Sequence, residues 1–389
     1  MGQNDKIWRN FDNLDDNVNI KDKSVFSFDV EPKLEYVYDR PEVDILVEKI
    51  LMYMKYGIST HLLLLGGRGS GKTTTIKSVM KSIIDVREEL MKRQAYFDKF
   101  IYINVREYPK QRAIMGKIIG EKIHGYDYGY IIEKFKEALN GRVILILDDI
   151  DLLNSRDLFY YLTRSVDIMT ISTLQNVMWF DNLDDSTKSS YRPEKIFFPN
   201  YTSEQLKEIL MLRAKYGLYH YDEGGIALIG TLVAKNYLGD ARIAILALYH
   251  AGLEDKWDED SIKKYIEMAS NEVLEYTLSK LDFRQLVILT TLIDQPETNK
   301  AYIDIKKKLL EANKNIKDES LKEYNKWKID SYSKATYFQD LKVLSTYGLI
   351  TLIKKKVGQY HTYEAMIHVP KNIITDISND LEQKFHKSL

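Results

Sequence analysis

The sequence predicts an α/β domain with a five-stranded parallel sheet covered by helices on both faces, then an all-α domain, then a C-terminal winged helix. Short apolar runs alternate with helical segments as far as Pro199, a pattern typical of a parallel sheet buried on both faces. Only helical periodicity follows, to about residue 275. Beyond it, three helical segments precede two short β segments.

These changes of pattern set the predicted domain bounds. The predicted regions are a flexible polar tail at 1–25, the α/β domain at 26–200, a helical lid at 201–275 and the winged helix at 276–389. The predicted strands of the first domain are 62–65, 100–105, 143–149, 169–174 and 195–198, and its helices are 43–56, 74–80, 112–123, 130–139 and 157–167. The predicted lid helices are 203–216, 222–237, 240–253 and 260–272. The winged helix has helices at 283–293, 302–313 and 333–347, then strands 349–353 and 362–367 joined by 354–361.

Composition excludes several classes of protein. The chain has 389 residues, a formal net charge of −1 and no cysteine, so disulfides, thiolate metal sites and cysteine nucleophiles are excluded. The first 23 residues are polar and lack the apolar core of a signal peptide, and no window approaches the length of a membrane span. Basic residues exceed acidic ones only in the C-terminal third, so a nucleic-acid surface, if present, is expected there.

The segment from Gly66 to Thr73 fits the phosphate-binding pattern G-x-x-x-x-G-K-[ST], between a predicted strand and a predicted helix. Glycines let backbone N–H groups wrap phosphates, and the helix N-terminus adds a favourable dipole. Lys72 would reach the β- and γ-phosphates of ATP or ADP, and the Thr73 hydroxyl would sit on Mg²⁺. The alternative is a glycine-rich turn with an incidental Lys-Thr pair. The predicted nucleotide-binding residues are Gly66, Gly67, Arg68, Gly69, Ser70, Gly71, Lys72, Thr73 and Thr74.

Two acids, Asp148 and Asp149, end the predicted strand that begins at Val143. Because α/β sheets bind ligands at the carboxyl ends of their strands, Asp148 is predicted to hold Mg²⁺ together with Thr73. Asp149 stands where a hydrolytic enzyme usually has glutamate to orient the attacking water, and its side chain is one methylene shorter. The alternative for Asp148 is an acid that caps the next turn.

Several motifs resemble those of the archaeal origin-recognition and cell-division-cycle (ORC/CDC) type AAA+ replication initiators. They are Ile103-Asn104-Val105-Arg106, Asp148-Asp149-Ile150-Asp151, the segment Ser189–Leu206 with its Phe-Pro-Asn-Tyr run, and Gly239-Asp240-Ala241-Arg242. The resemblance covers residues from about 34 to the C-terminus. It implies an AAA+ fold and an ATP-binding initiator of DNA replication that binds double-stranded origin DNA. It also implies paralogous initiator subunits, a replicative helicase of the MCM type and a cytoplasmic, nucleoid-associated location, without a membrane partner.

The resemblance also assigns roles to single residues. Arg242 resembles the sensor 2 arginine that reaches the γ-phosphate, and the alternative is a surface arginine at a helix start. Sensor 1 falls on Gln175 or Asn176, and side-chain chemistry favours Asn176. The strip against the adenine matches Tyr36, Val37 and Arg40. The predicted catalytic residues are Lys72, Asp149, Asn176 and Arg242.

Turnover is expected to be slow. The place of the family's arginine finger holds Ser186 here, with Lys188 and Arg192 nearby. Together with Asp149 in place of glutamate, this substitution predicts weak ATPase activity at most, with ATP and ADP acting as a switch.

The third helix and the ribbon of the predicted winged helix supply candidate DNA contacts. Leu341, Leu344, Tyr347 and either Tyr337 or Phe338 are predicted to face inward, which leaves Lys334, Thr336 and Gln339 outward. Beside a predicted turn at Gly358, the wing carries Lys354, Lys355, Lys356 and Gln359. The family also inserts a helical element of the ATPase domain into DNA, which matches about 107–122 with Lys110, Arg112 and Lys117. Taken alone, the winged helix could equally dock a protein.

Two other functions compete with an initiator. A signalling NTPase of the STAND type has the same loop, lid and winged helix, but such chains usually carry a long repeat array, and no internal repeat is visible here. A metabolic P-loop kinase would need a pocket for a small acceptor. It would explain neither the lid arginine nor the basic wing.

Overall fold

The computed structural model of the protein describes residues 19–27, 38–58, 60–123, 125–153, 157–164, 168–175, 178–181, 183–314, 332–357, 360–371 and 373–377. The chain divides into two compact units, Met1–Val273 and Leu274–Leu389. No helix in the described ranges is long and apolar enough to cross a membrane.

The sheet of the first unit has the predicted five parallel strands. They are β1 (His61–Gly66), β2 (Lys99–Asn104), β3 (Val143–Asp148), β4 (Met169–Leu174) and β5 (Glu194–Phe198), in the order β2-β3-β4-β1-β5. Every residue of β3 and β4 is buried, as apolar strands covered on both faces must be. Because all five strands run in parallel, their carboxyl ends meet at one edge, where the candidate site lies.

Eight helices accompany this sheet in the described ranges. They are α1 (Pro41–Tyr56), α2 (Lys72–Asp85), α3 (Arg87–Lys92), α4 (Gln111–Ile119), α5 (Tyr128–Ala138), α6 (Asp157–Arg164), α7 (Met178–Asp181) and α8 (Asp185–Tyr191). Pro41 occupies the first helical position of α1, where its missing N–H is tolerated. Helix α4 ends before the predicted residue 123, because Gly120 adopts a left-handed conformation with φ of 82°.

Four helices follow the sheet; the first three lie within the first unit, and the fourth begins there and ends beyond its last residue, Val273. They are α9 (Ser203–Gly217), α10 (Glu223–Asn236), α11 (Ala241–Glu254) and α12 (Glu259–Ser279). Helix α9 begins with a capping box between Thr202 and Gln205, as its sequence predicts. Leu206, Leu210 and Leu248 are fully buried in one apolar cluster, which gives these helices a core of their own.

The end of the predicted N-terminal tail is packed rather than solvated. Residues 23–26 form a 3₁₀ turn whose Val25 and Phe26 are buried in the cluster of the lid helices. The Phe26 ring lies directly against Gly217, and the buried Arg213 donates a hydrogen bond to the Val25 carbonyl. Two adjacent apolar residues form no periodic pattern, so this contact could not be predicted from the sequence.

Replacing Phe26 by alanine is expected to lower the free energy of unfolding of the first unit by about 3 kcal/mol, because it removes a buried ring and leaves a cavity. Urea denaturation followed by circular dichroism measures this. The matched control is Phe197→Ala, since Phe197 is 63% exposed on β5, and we expect it to change stability by less than about 0.5 kcal/mol. Equal effects of the two substitutions on the free energy of unfolding would contradict the packing of Phe26 against the lid helices.

In its described ranges, the second unit contains three complete helices and a two-stranded antiparallel ribbon. The elements are α13 (Phe283–Asp294), α14 (Thr298–Lys314), α15 (Lys334–Thr346), β6 (Ile350–Val357) and β7 (Tyr360–Ile367). This order of three helices and a ribbon is consistent with the predicted winged helix. Of the two aromatic candidates for the inner face of α15, Tyr337 is fully buried and Phe338 only partly so, while Leu341 and Leu344 are buried as predicted.

The ribbon is longer than predicted. The segment 354–361 was expected to join the strands, yet Lys354, Lys355 and Lys356 belong to β6, and the pairing continues to Val357 opposite Tyr360. An antiparallel pair of strands continues as long as backbone hydrogen-bonding partners lie opposite each other. Lysine is compatible with such a strand when one face of the ribbon is exposed to solvent. The predicted turn residues Gly358 and Gln359 lie outside the described residues.

Candidate nucleotide site and basic surface

The phosphate-binding loop connects β1 to α2. Gly69 and Gly71 have φ of 65° and 85°, which only glycine adopts without strain. Lys72, the first residue of α2, donates from Nζ to the carbonyls of Gly66 and Gly67, at 2.8 Å each. The ammonium group is thus held inside the loop, where it can meet phosphate oxygens.

Asp148 ends β3 beside the start of α2. Its carboxylate accepts hydrogen bonds from the hydroxyls of Thr73 (2.9 Å), Tyr102 (2.7 Å) and Thr173 (2.5 Å). Burial and the neighbouring charge of Asp149 raise the pKa of Asp148. The structure therefore brings the two predicted metal ligands, Thr73 and Asp148, together.

These oxygen donors suit Mg²⁺, which is commonly held by one or two protein oxygens together with phosphates and water. Within the described ranges, no three histidine or acidic side chains converge to form a metal site of protein ligands alone.

Asp149 is held by two donors from the neighbouring strand ends. Its backbone is left-handed, with φ of 60°, a conformation that aspartate adopts more readily than most residues. Arg106 donates from Nη2 to its Oδ2 at 2.9 Å, and Gln175 donates from Nε2 to its Oδ1 at 3.2 Å. The carboxylate predicted to orient a water molecule is thus engaged by an ion pair and by an amide.

Sequence reasoning did not assign a site role to Arg106. It lies just after β2, as Asp149 lies just after β3 and Gln175 just after β4. A search for polar residues just after each parallel strand would have found it, because these strand ends meet at one edge.

Three guanidinium groups converge on the loop. Burial and the nearby Arg242 and Arg106 charges lower the pKa of Arg68 to about 9, and Arg68 donates to Gln175 at 3.2 Å. Burial also lowers the pKa of Lys72. So many cations in a partly buried place favour an anionic ligand, and a phosphate chain would relieve their mutual repulsion.

Arg242 reaches this place from the start of α11. Its Nε donates to the Asp240 carboxylate at 3.0 Å, and the same aspartate lies against Gly69 of the loop. The backbone N–H of Ala241 also approaches the Gly69 carbonyl, at 3.4 Å. The lid therefore contacts the loop directly and brings its arginine beside it.

Four predicted site residues, Tyr36, Val37, Asn176 and Gln359, lie outside the described residues. Gln175, the other candidate for sensor 1, contacts Asp149 as described above. Arg40 was predicted as part of the strip against the adenine, but its guanidinium is buried and turned towards the loop backbone at Ser70. Ser186 lies in α8.

The predicted DNA contacts fall on two surfaces, one in each unit. In the first unit, Lys110 precedes α4 and is exposed, while Arg112 donates to the Tyr126 carbonyl. In the second unit, Lys334 is exposed at the start of α15, and Thr336 and Gln339 are half-buried on the same helix. The Thr336 hydroxyl lies 3.1 Å from that of the N-cap residue Ser333, so it is already engaged in the cap.

The ribbon carries exposed lysines. Lys354 and Lys355 are exposed on β6, and Lys355 forms an ion pair with Glu364 on β7. Sequence reasoning missed Glu364, since it depends on the strand register. An exposed pair of this kind is weak and leaves Lys355 able to exchange its partner for a phosphate.

Comparison with known proteins places this arrangement in a family. The model of the ATPase family associated with various cellular activities (AAA) matches residues 62–198. The ORC1-type DNA replication protein 3 of Sulfurisphaera tokodaii is 30% identical over 281 residues, which are 67% of this chain and 70% of the relative. The chain belongs to the ORC1-type DNA replication protein family. A second member, from Thermococcus kodakarensis, is 26% identical over 305 residues, or 70% of this chain and 71% of that protein.

The fold of the ORC1-type chain agrees with that membership. The ORC1 protein of Aeropyrum pernix, solved in complex with DNA, superposes with a TM-score of 0.65 at 21% identity, over 92% of this chain and 96% of that one. The AAA match covers the phosphate-binding loop and β1 to β5. Membership of an ATPase family supports nucleotide binding by this chain, and the loop and Asp148 lie within the matched residues.

Proposed function

We propose that this ORC1-type protein is a DNA replication initiator that binds double-stranded origin DNA and uses bound ATP or ADP as a slow switch. The observation that carries the nucleotide part is the convergence of Lys72, Arg68, Arg106 and Arg242 beside the Asp148 carboxylate. Such a site matches a polyphosphate with its cation in both charge and chemistry.

Each site residue has a proposed role with the nucleotide. The loop N–H groups and Lys72 bind the phosphates, while Thr73 and Asp148 hold Mg²⁺, which would screen the phosphate charge. Arg242 exchanges its bond to Asp240 for one to the terminal phosphate. Because Arg242 begins a lid helix, the presence of that phosphate would alter how the lid rests on the loop.

Slow hydrolysis follows from the environment of Asp149. A carboxylate that orients water must be available as a hydrogen-bond acceptor, and here Arg106 neutralises it while Gln175 occupies its other oxygen. The Asp149 side chain is also one methylene shorter than that of glutamate, which reduces its reach to an attacking water molecule. We therefore assign the bound nucleotide a signalling role rather than the role of a rapidly consumed fuel.

DNA binding is proposed for both basic surfaces. Lys334 on α15 and the lysines of β6 would contact the backbone and the groove, and Lys110 and Arg112 around α4 would make a second contact. The relative from Aeropyrum was solved with DNA, and this resemblance supports the assignment. Paralogous initiator subunits and an MCM-type replicative helicase are the proposed protein partners, on the strength of family membership.

A phosphate-release assay tests the switch. The isolated protein is expected to turn over ATP far more slowly than about 1 s⁻¹, the low end for enzymes, while holding ADP through gel filtration. Mass spectrometry of the released ligand checks the second point. Sustained rapid turnover would contradict the slow switch, although it would leave nucleotide binding intact.

A further inference from the structure

Arg40 is a buried cation whose contacts join three segments of the first unit. It is 3% exposed and belongs to the short segment before α1. Its Nη1 donates to the Ser70 carbonyl of the phosphate-binding loop at 2.6 Å, and its Nη2 approaches the Pro199 carbonyl at 3.5 Å. Pro199 begins the connection from β5 to the lid, here called the linker (residues 199–202).

The charge of Arg40 is compensated where it lies. Its Nε donates to Glu42 at 2.7 Å, and the two side chains are 1% and 15% exposed. Burial alone would raise the pKa of Glu42, but the hydrogen bond and charge of Arg40 outweigh it and lower that pKa. Desolvating a charge is expensive unless it is paired and hydrogen-bonded. Because the Arg40 guanidinium is paired and hydrogen-bonded, it is held in place, and it restrains the backbone groups to which it donates.

Aromatic rings hold the plane of the guanidinium. Its central carbon lies 4.6 Å from the centre of the Phe198 ring and 5.0 Å from that of the Tyr201 ring. Phe198 ends β5 just before the linker and Tyr201 lies within the linker, so the ring contacts and the hydrogen bonds of Arg40 act on the same few residues. Arginine can stack and donate in several directions at once, whereas lysine supplies only a compact charge.

The linker also lies across the loop glycines. A Cβ placed at Gly67 would fall 2.6 Å from Asn200 Oδ1, and one at Gly71 would meet the Tyr201 hydroxyl. These glycines therefore leave room for linker side chains as well as for phosphates. A shift of the loop would therefore displace the linker through these close contacts, and the linker leads directly into helix α9 of the lid.

We propose that Arg40 is a positioning residue that ties the phosphate-binding loop to the linker, so that occupation of the loop is transmitted to the lid. Arg40 acts through the Ser70 carbonyl and the linker. This inference rests on the proposed nucleotide switch and adds the residue that couples its two parts.

The test is the conservative substitution Arg40→Lys in the full chain, with fluorescent mant-ADP and Mg²⁺ as the probe. We expect the substitution to weaken mant-ADP binding about tenfold, because the loop loses a fixed position. The matched control is Arg87→Lys. Arg87 also stacks on a ring, Phe97 at 4.9 Å, and donates to a backbone carbonyl, but it lies in α3. Its replacement is expected to change binding by less than about twofold.

Hydrogen exchange supplies a readout that loss of stability alone would not reproduce. In the unsubstituted protein, ADP is expected to slow amide exchange both in the loop (66–72) and in the linker. In the Arg40→Lys protein, the loop should remain protected by saturating ADP while the linker loses its protection. Circular dichroism establishes folding, and if this variant does not fold, Glu42→Gln is used because it weakens the hold on Arg40 without removing it.

The outcomes separate the inference from the function on which it rests. If the unsubstituted protein fails to bind mant-ADP, the nucleotide switch and the coupling both fail. If it binds, but Arg40→Lys or Glu42→Gln behaves like Arg87→Lys and keeps parallel protection of loop and linker, the coupling alone is overturned. Loss of linker protection with retained loop protection supports it.

Discussion

Replacing Lys72 by alanine is expected to weaken binding of ADP and of ATP at least about hundredfold, because charge-assisted hydrogen bonds to phosphate oxygens are lost from a buried place. The ammonium group lies between the Gly66 and Gly67 carbonyls, at the centre of the loop. No other lysine of α2 can take over, since the remaining ones are further along the helix. Titration with mant-ADP, followed by fluorescence, measures the loss.

The control for this prediction is Lys81→Ala. Lys81 is exposed on the same helix α2, so its replacement removes the same charge at a greater distance from the loop. We expect nucleotide affinity to stay within about twofold. Retention of tight ADP binding by a folded Lys72→Ala protein would show that this loop is not the phosphate site.

Reversing the charge of Lys354 and Lys355 together is expected to weaken binding to duplex DNA at least about tenfold at moderate salt. The loss should be similar for all DNA sequences, because lysines on a ribbon contact phosphates rather than base edges. The slope of log affinity against log salt should fall by about two, one for each phosphate contact. Fluorescence anisotropy of a labelled duplex across a salt series provides both numbers.

The matched control reverses two lysines elsewhere. Lys207 and Lys215 are both exposed on α9, and changing both to glutamate alters net charge equally without touching the ribbon. We expect little change in the salt slope. In the opposite direction, Glu364→Gln releases Lys355 from its ion pair and should strengthen binding. A ribbon variant that binds DNA like the control would favour the protein-docking use of the winged helix.

The sheet and the loop were predictable because local patterns determine them. Four consecutive leucines before Gly66, and five apolar residues before Asp148, have no reasonable place other than a strand buried on both faces. Glycine and lysine spacing then defines the loop. These signals lie within a few residues of each other, so no knowledge of distant contacts is required.

The contacts that tune the site could not be read in the same way. The pairing of Arg106 with Asp149 joins two strand ends and depends on the strand order. The buried orientation of the Arg40 side chain depends on the rings of Phe198 and Tyr201, which are distant from it in the sequence. The length of the ribbon depends on the register of β6 with β7. Each of these is a tertiary contact, for which sequence periodicity contains no information.

The central claim is that a nucleotide-loaded ORC1-type fold recognises origin duplex under the control of its phosphate state. Nuclease footprinting on DNA from the cell's own replication origin, with ADP or with a non-hydrolysable ATP analogue, tests it most directly. Protection of a defined origin sequence at moderate salt is expected, with an extent that differs between the two nucleotides. Absence of protection, or identical footprints with both nucleotides, would contradict the account.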